Sequence, residues 1–222
     1  MFDRLISLIG EDKYKLIQGK RILLIGVGGV GSYALEALVR NGFNNITIVD
    51  YDTIDITNLN RQLITNSANI GHSKVIEGIL RAKSVNPNIL IDGQETRLTS
   101  DNIDILLNVG YDYIIDACDS IDLKFALMEK SLKYNYKLIT CMGTAKKIDP
   151  TKLKITTLDK TFNDPLAKIL RKKVKDAKIN KKFHCISSEE VPIDIKELGT
   201  ANLVPSVAGL LCVSYIFNDI IK

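Results

Sequence analysis

Two cations thirteen residues apart, Arg61 and Lys74, and a carboxylate at Asp119 are the side chains of this 222-residue sequence best suited to phosphate chemistry. Positive groups of this kind screen a triphosphate and stabilise charge that develops on a phosphorus under attack. They form a site only if the chain also brings a phosphate to them. The run Gly26-Val-Gly28-Gly29-Val-Gly31 offers that, because glycines let the backbone approach closely and a following helix N-terminus presents oriented N–H groups. Asp50 stands 19 residues beyond Gly31, where an acidic residue hydrogen-bonds ribose hydroxyls in dinucleotide folds. Asp52, Asn58 and Gln62 follow in the same stretch as Arg61 and join the candidate nucleotide-binding residues. Asp116 and Asp119 end a later apolar run. A magnesium ion, which takes one or two carboxylates together with phosphate oxygens and waters, would find a ligand in Asp119 with Asp116 in support. Asp116 also suits a helix cap or a turn.

The elements that must carry these residues alternate. Arg21–Gly26 is a short apolar run, Ser32–Arg40 is helix-compatible, and Ile46–Asp50 completes a β-α-β unit. Further buried strands are expected at Ile89–Ile91, Tyr113–Asp116 and Leu138–Thr140, with helices at about Lys74–Val85, Asp101–Val109 and Leu123–Tyr134 between them. This is the pattern of an α/β, Rossmann-like, doubly wound and mostly parallel sheet, which binds ligands outside the carboxyl ends of its strands. The pattern changes after Gly143. A strand at Lys152–Thr157, a basic helix at Pro165–Val174, a polar stretch and an apolar terminal helix entered at Pro205 suggest a substrate-side extension. We therefore expect a nucleotide-binding domain over 1–145 and an extension over 146–222 packed on the same domain.

Composition narrows the setting. A net charge of +4 is mild, but between Lys168 and Lys182 eight Lys or Arg face one acid, Asp176. Lys172, Lys173 and Lys175 lie at its centre and suit nucleic-acid phosphates, or form a solvated helix face. Four cysteines without a C-x-x-C pair argue against a disulfide framework or thiolate zinc site and for a reducing, cytoplasmic compartment. Cys185, beside His184 in a polar setting, is a candidate reactive thiol, whereas Cys118, Cys141 and Cys212 suit burial. The N-terminus has no signal-peptide pattern. The uncharged stretch Leu198–Asn218 is diluted by Gly199, Thr200 and Asn202, so no membrane span is expected.

The glycine run, Asp50-x-Asp52, Asn58-x-x-Arg61-Gln62, Lys74 and Asp116-x-x-Asp119 together resemble the adenylation domain of ubiquitin-activating and sulfur-carrier-activating enzymes. The resemblance implies ATP and Mg²⁺ as cofactors. Asp50 would hold ribose, Asn58 would contact the nucleotide, Arg61 and Lys74 would bind phosphates and Asp119 would hold the metal. Arg4 looks like the family's N-terminal arginine that reaches the ATP of a partner subunit, which implies a homodimer. Met142-Gly-Thr-Ala145, Ile148-Asp-Pro-Thr151, Thr161–Arg171, Ser187-Ser-Glu-Glu190 and Val204–Gly209 are similar to the tRNA threonylcarbamoyladenosine dehydratase branch. That branch implies tRNA as substrate, adenylation of a carboxylate and cyclisation, with a sulfur-transfer protein as a further possible partner. Two readings stay open beside it. One is an activator of a ubiquitin-like sulfur-carrier protein, and the other is an NAD-binding oxidoreductase, which would leave Arg61, Lys74 and Asp119 without a task.

Overall fold

The computed structural model describes residues 1–222 and holds one seven-stranded sheet with helices on both faces. Strand β1 (Arg21–Ile25) is central, with β2 (Asn45–Asp50) and then β3 (Leu90–Glu95) on one side. On its other side lie β4 (Tyr113–Asp116), β5 (Lys137–Cys141), β7 (His184–Ser188) and β6 (Leu153–Thr157), so the order is 3-2-1-4-5-7-6. All pairs are parallel except β6 with β7. The order reverses across β1 and β4, and the ligand crevice of a doubly wound sheet opens at that switch point.

Central strands read as unbroken apolar runs because helices cover both faces. The residues of β4 are all buried, as are the last four of β1 and β5. Crossovers run through α3 (Gly31–Arg40), α4 (Lys74–Val85), α5 (Ile103–Leu107) and α6 (Ile121–Lys130). Helix α7 (Pro165–Asp176) connects β6 to β7, and α8 (Leu203–Ile221) closes the chain. Helices α1 (Asp3–Ile9) and α2 (Glu11–Gln18) precede the sheet in a region where no periodicity stood out.

Two elements differ from expectation, and a third starts two residues earlier than expected. The edge strand β3 extends to Glu95 through Asp92-Gly93-Gln94, residues too polar to read as a buried strand. Gly93 is needed there because a Cβ would collide with Val75 and Ile79 of α4. The polar stretch after α7 contains β7, which sits inside the sheet with Cys185, Ile186, Ser187 and Ser188 all buried. Helix α8 begins at Leu203, which leaves Pro205 in its first turn where a missing N–H costs nothing. By length and composition α8 could cross a membrane, yet in the fold Val204, Ala208, Cys212 and Ile216 are buried against α3 and the sheet. Gly209 allows that approach, since a Cβ there would strike the backbone at Val30 and Ala34.

Candidate active site

The glycine run divides into two pairs with different duties. Gly26 has φ +86°, and a Cβ on it would lie 2.9 Å from Ala117 O, while a Cβ on Gly31 would overlap Gly26 O. Those two glycines let the loop pass beneath the start of α3 and beside β4. Gly28 has open space on its free side, bounded only by Gln62 Nε2 at 3.8 Å, and Gly29 is in ordinary contact with Arg61 and Pro205. Both line a cavity of about 650 Å³ at the carboxyl end of the sheet. Asp50, the last residue of β2, accepts from Val27 N at 2.7 Å and from Asp52 N at 3.0 Å, so its carboxylate holds the loop in shape.

The stretch after β2 folds back over this loop. Asp55 caps a short 3₁₀ turn over Ile56–Asn58, and Asn58 Oδ1 accepts from Asp55 N at 3.1 Å. The side-chain end of Asn58 left for a ligand is its amide NH₂. Arg61 Nη1 donates to Thr57 O at 2.6 Å and Asn60 Oδ1 at 3.0 Å, which fixes the guanidinium on the cavity wall. Ser32 Oγ accepts from Leu63 N at 3.0 Å and ties the whole turn to α3. Gln62 is buried, and its Oε1 has no hydrogen-bond partner in the protein. Lys74 opens α4 under the Ser73 cap and is buried, with its ammonium 2.7 Å from Asp52 Oδ2.

At the end of β4 the two aspartates part company. Asp116 is fully buried and closes a turn rather than capping a helix. Its Oδ2 accepts from Lys124 Nζ at 3.1 Å and Thr140 Oγ1 at 2.5 Å, and its Oδ1 accepts from Cys118 N at 3.3 Å and Sγ at 2.9 Å. Ser120 caps α6 instead, accepting from Leu123 N at 3.3 Å. Burial alone would pull the Lys124 ammonium pKa down; Asp116 outweighs that and raises it. Burial, followed by the Asp116 charge, pushes the Cys118 thiol far above its usual value, so it is not a thiolate nucleophile at neutral pH. Asp119 is exposed and lines both of two neighbouring cavities. The second, about 450 Å³, is bounded by Gly26, Asp50, Tyr51, Arg97, Leu98 and Ser120.

Gly28, Gly29, Asp52, Asn58, Arg61, Gln62, Lys74 and Asp119 therefore share the larger cavity, with Gly26 and Asp50 next door and Gly31 behind the loop. Arg4 is exposed on α1 and lines neither cavity of its own chain. Lys172, Lys173 and Lys175 lie on α7, whose first residues reach the cavity rim. Lys172 and Lys175 are exposed and unpaired, while Lys173 is 3.0 Å from Asp122 and lies over the Phe125 ring. Cys185 is not in a polar setting. It is fully buried in β7, and burial pushes its thiol up to about 12.

Sequence reasoning missed the cavity's far wall. Lys147 is buried and donates to Gly143 O at 2.9 Å and to Asp164 Oδ2 at 3.3 Å. Asp164 also accepts from Gly143 N at 3.0 Å and caps α7 through Ala167 N at 2.9 Å. Asp164 followed by Pro165 is a readable helix start; nothing local marks Lys147 as its partner.

The residues present fit a nucleoside triphosphate: an orphaned buried amide oxygen, an open glycine and two cations face the same space. For magnesium they fit only in part, since no three His, Cys, Asp or Glu side chains converge anywhere in the chain. Asp119 would serve as one ligand, with phosphate oxygens and waters as the others. The ThiF family matches residues 2–216. The chain belongs to that family. Among ThiF proteins it is 36% identical over 240 residues to the tRNA threonylcarbamoyladenosine dehydratase of Bacillus subtilis, covering all of this chain and 94% of that one. The enzyme of the same name from Escherichia coli K12 is 35% identical over 208 residues, covering 90% of this chain and 78% of the relative. The crystal structure of the E. coli dehydratase TcdA in complex with ATP superposes with a TM-score of 0.94 at 34% identity, over 99% of this chain and 93% of that one. The branch of the ThiF family is the one the segments after Gly143 resemble.

Proposed function

We propose that this chain uses ATP to dehydrate the threonylcarbamoyl group of a tRNA adenosine. The observation that carries the reading is that Arg61, Lys74 and Asp119 line the same cavity as Gly28, and that this cavity continues past them to the first turn of a basic helix. In the proposed reaction a carboxylate oxygen of the threonyl group attacks the α-phosphorus of ATP and the bond to pyrophosphate breaks. The carbamoyl group of the same substituent then attacks the activated acyl carbon and expels AMP. One proton is lost at ring closure and the base is lighter by one water. The substrate supplies its own nucleophile, consistent with a site whose one accessible cysteine is held as a thiol.

Catalysis in this scheme is positioning and charge stabilisation. Arg61, fixed by Thr57 and Asn60, and Lys74, fixed by Asp52, face the phosphates with little reorganisation left to do. Gln62 and the Asn58 amide orient the nucleotide, and Asp50 meets the ribose while bracing the glycine loop. Asp119 would hold magnesium, which neutralises phosphate charge when bound. Arg4 lies off both cavities of its own chain, so the role that the family resemblance gives it requires a second copy, and the homodimer we assign rests on that resemblance. With tRNA as substrate we assign the chain to the cytoplasm.

The test is mass analysis of tRNA bearing threonylcarbamoyladenosine after incubation with the chain and Mg-ATP. The expected result is a loss of one water with release of AMP and pyrophosphate, reduced roughly 10²–10³-fold in folded Arg61→Ala. No mass change, together with pyrophosphate exchange driven by a ubiquitin-like carrier protein, would move the assignment to protein activation. NAD binding without ATP binding would move it to redox chemistry.

A further inference from the structure

The larger cavity has two chemically different ends. Its nucleotide end carries Arg61, Lys74 and Asp119, whereas the end beyond Gly143 is walled by Pro165 and Leu166 of α7, Pro192, Leu198 and Thr144. The two lysines at that end have their ammonium groups committed: Lys147 to Gly143 O and Asp164, Lys146 to Ile195 O. What remains at that end is a largely apolar lining with the Thr144 hydroxyl, a distal slot suited to a neutral group that buries apolar surface and poorly suited to a charged tail.

Pro192 and Leu198 belong to an exposed strap, residues 189–202, that spans the mouth. The strap hangs from Lys146, whose φ is +61°: Lys146 N donates to Gly199 O at 2.8 Å, and Ile193 N donates to Lys146 O at 2.8 Å. Asn60 Nδ2 anchors its end by donating to Thr200 O at 2.9 Å. Leu198 lines the cavity and yet is 80% exposed. Apolar surface held in water over a cavity gains most when a ligand covers it. The basic face of α7 begins at this rim, so a polynucleotide lying along Lys168, Lys172 and Lys175 would have a base within reach of the slot.

Resting on the function proposed above, we infer that this distal slot is the acceptor subsite and receives an everted adenine nucleoside, packed between Leu166 of α7 and Pro192 and Leu198 of the strap. A base taken out of its stack needs such apolar walls to replace its neighbours. Leu166, Pro192 and Leu198 are then specificity residues that bind the nucleoside and leave ATP alone.

Two readouts test this. In steady-state dehydration, Leu198→Ser and Pro192→Ala should each raise KM for modified tRNA on the order of tenfold, with kcat within about twofold and the Kd for ATP unchanged; tenfold corresponds to about 1.4 kcal/mol. Leu90→Ser, the same side chain at 63% exposure but at the amino end of edge strand β3, should change neither. In a binding assay without chemistry, tRNA carrying 2-aminopurine in place of the target adenosine should brighten on binding to the wild type and not to Leu198→Ser. Dehydration that proceeds with unchanged KM in both strap variants, or a wild type that binds this RNA without a fluorescence change, overturns the subsite. Brightening that depends on Leu198 in a protein that never removes water would keep the subsite and overturn the reaction.

Discussion

Two lysine–aspartate pairs are sealed beneath the cavity, one under each end, and they differ in what surrounds the carboxylate. Asp116 under the nucleotide end meets Lys124, one threonine hydroxyl and the amide and thiol of Cys118. Asp164 under the far wall meets Lys147 and two backbone N–H groups, Gly143 at 3.0 Å and Ala167 at 2.9 Å. The first pair joins elements of the central sheet, β4, β5 and α6. The second joins a loop to a helix start. The nucleotide end is thus held by secondary structure that any doubly wound sheet possesses, and the acceptor end by a side-chain clamp peculiar to this arrangement of loops.

The comparison breaks most sharply on removal of the cations. Lys124→Met leaves a buried carboxylate with no opposing charge and should lower stability by about 3–5 kcal/mol. Lys147→Met should cost less, about 1–3 kcal/mol, because two short backbone N–H bonds, one of them at the α7 N-terminus, still stabilise the Asp164 charge, whereas Asp116 keeps one backbone N–H at 3.3 Å beside a hydroxyl and a thiol. Urea denaturation of both variants measures the difference. Equal losses would mean that the backbone donors contribute nothing to Asp164. Retained ATP affinity in Lys147→Met, against a lowered one in Lys124→Met, would separate the two ends functionally as well.

A smaller effect sharpens the division further. Lys172 and Lys175 are unpaired, whereas Lys173 already neighbours Asp122. Replacing Lys172 and Lys175 together by Gln should weaken tRNA binding several-fold and reduce the slope of log affinity against log salt by roughly 1.5, with ATP binding unmoved. Lys173→Gln should reduce the slope by less. Titration of tRNA binding between low and moderate salt checks both, and equal slopes in all variants would return α7 to a plain solvated face.

The same division governed what could be read from the sequence. The sheet half was legible because its signals are local: a glycine run between strand and helix, Asp50 at a strand end, apolar runs with period-free burial. The two glycine duties were not, since Gly26 and Gly31 answer to Ala117 and to each other across the fold. The sequence favours Asp119 over Asp116 as the ligand but gives no sign of Lys124, which arrives from the next helix and buries Asp116. Strand β7 hid behind His184, Ser187 and Ser188, polar side chains in a strand paired on both sides; His184 is exposed and meets Tyr215 Oη, and Ser188 Oγ accepts from Glu190 N. The far wall was unreadable because Lys147 and Asp164 are seventeen residues apart and meet through loops.

The smallest effect lies at the opposite end of the same strands. Asp219, near the end of α8, accepts from Tyr113 Oη at 2.5 Å and Lys137 Nζ at 2.6 Å, which pins the terminal helix to the amino ends of β4 and β5. Partial burial would raise its carboxyl pKa, but Lys137 and Tyr113 outweigh that and the net shift is downward. A carboxylate with a depressed folded pKa stabilises the fold above its ordinary value near 3.8, and that contribution is lost as pH falls through the lowered folded value. Lys137 is well exposed, so the contribution belongs with surface pairs, below about 1 kcal/mol. Stability of the wild type and Asp219→Asn, measured from pH 7 to pH 3, should therefore differ slightly at neutral pH and converge in acid. Divergence on acidification would mean that α8 is held by something other than this carboxylate.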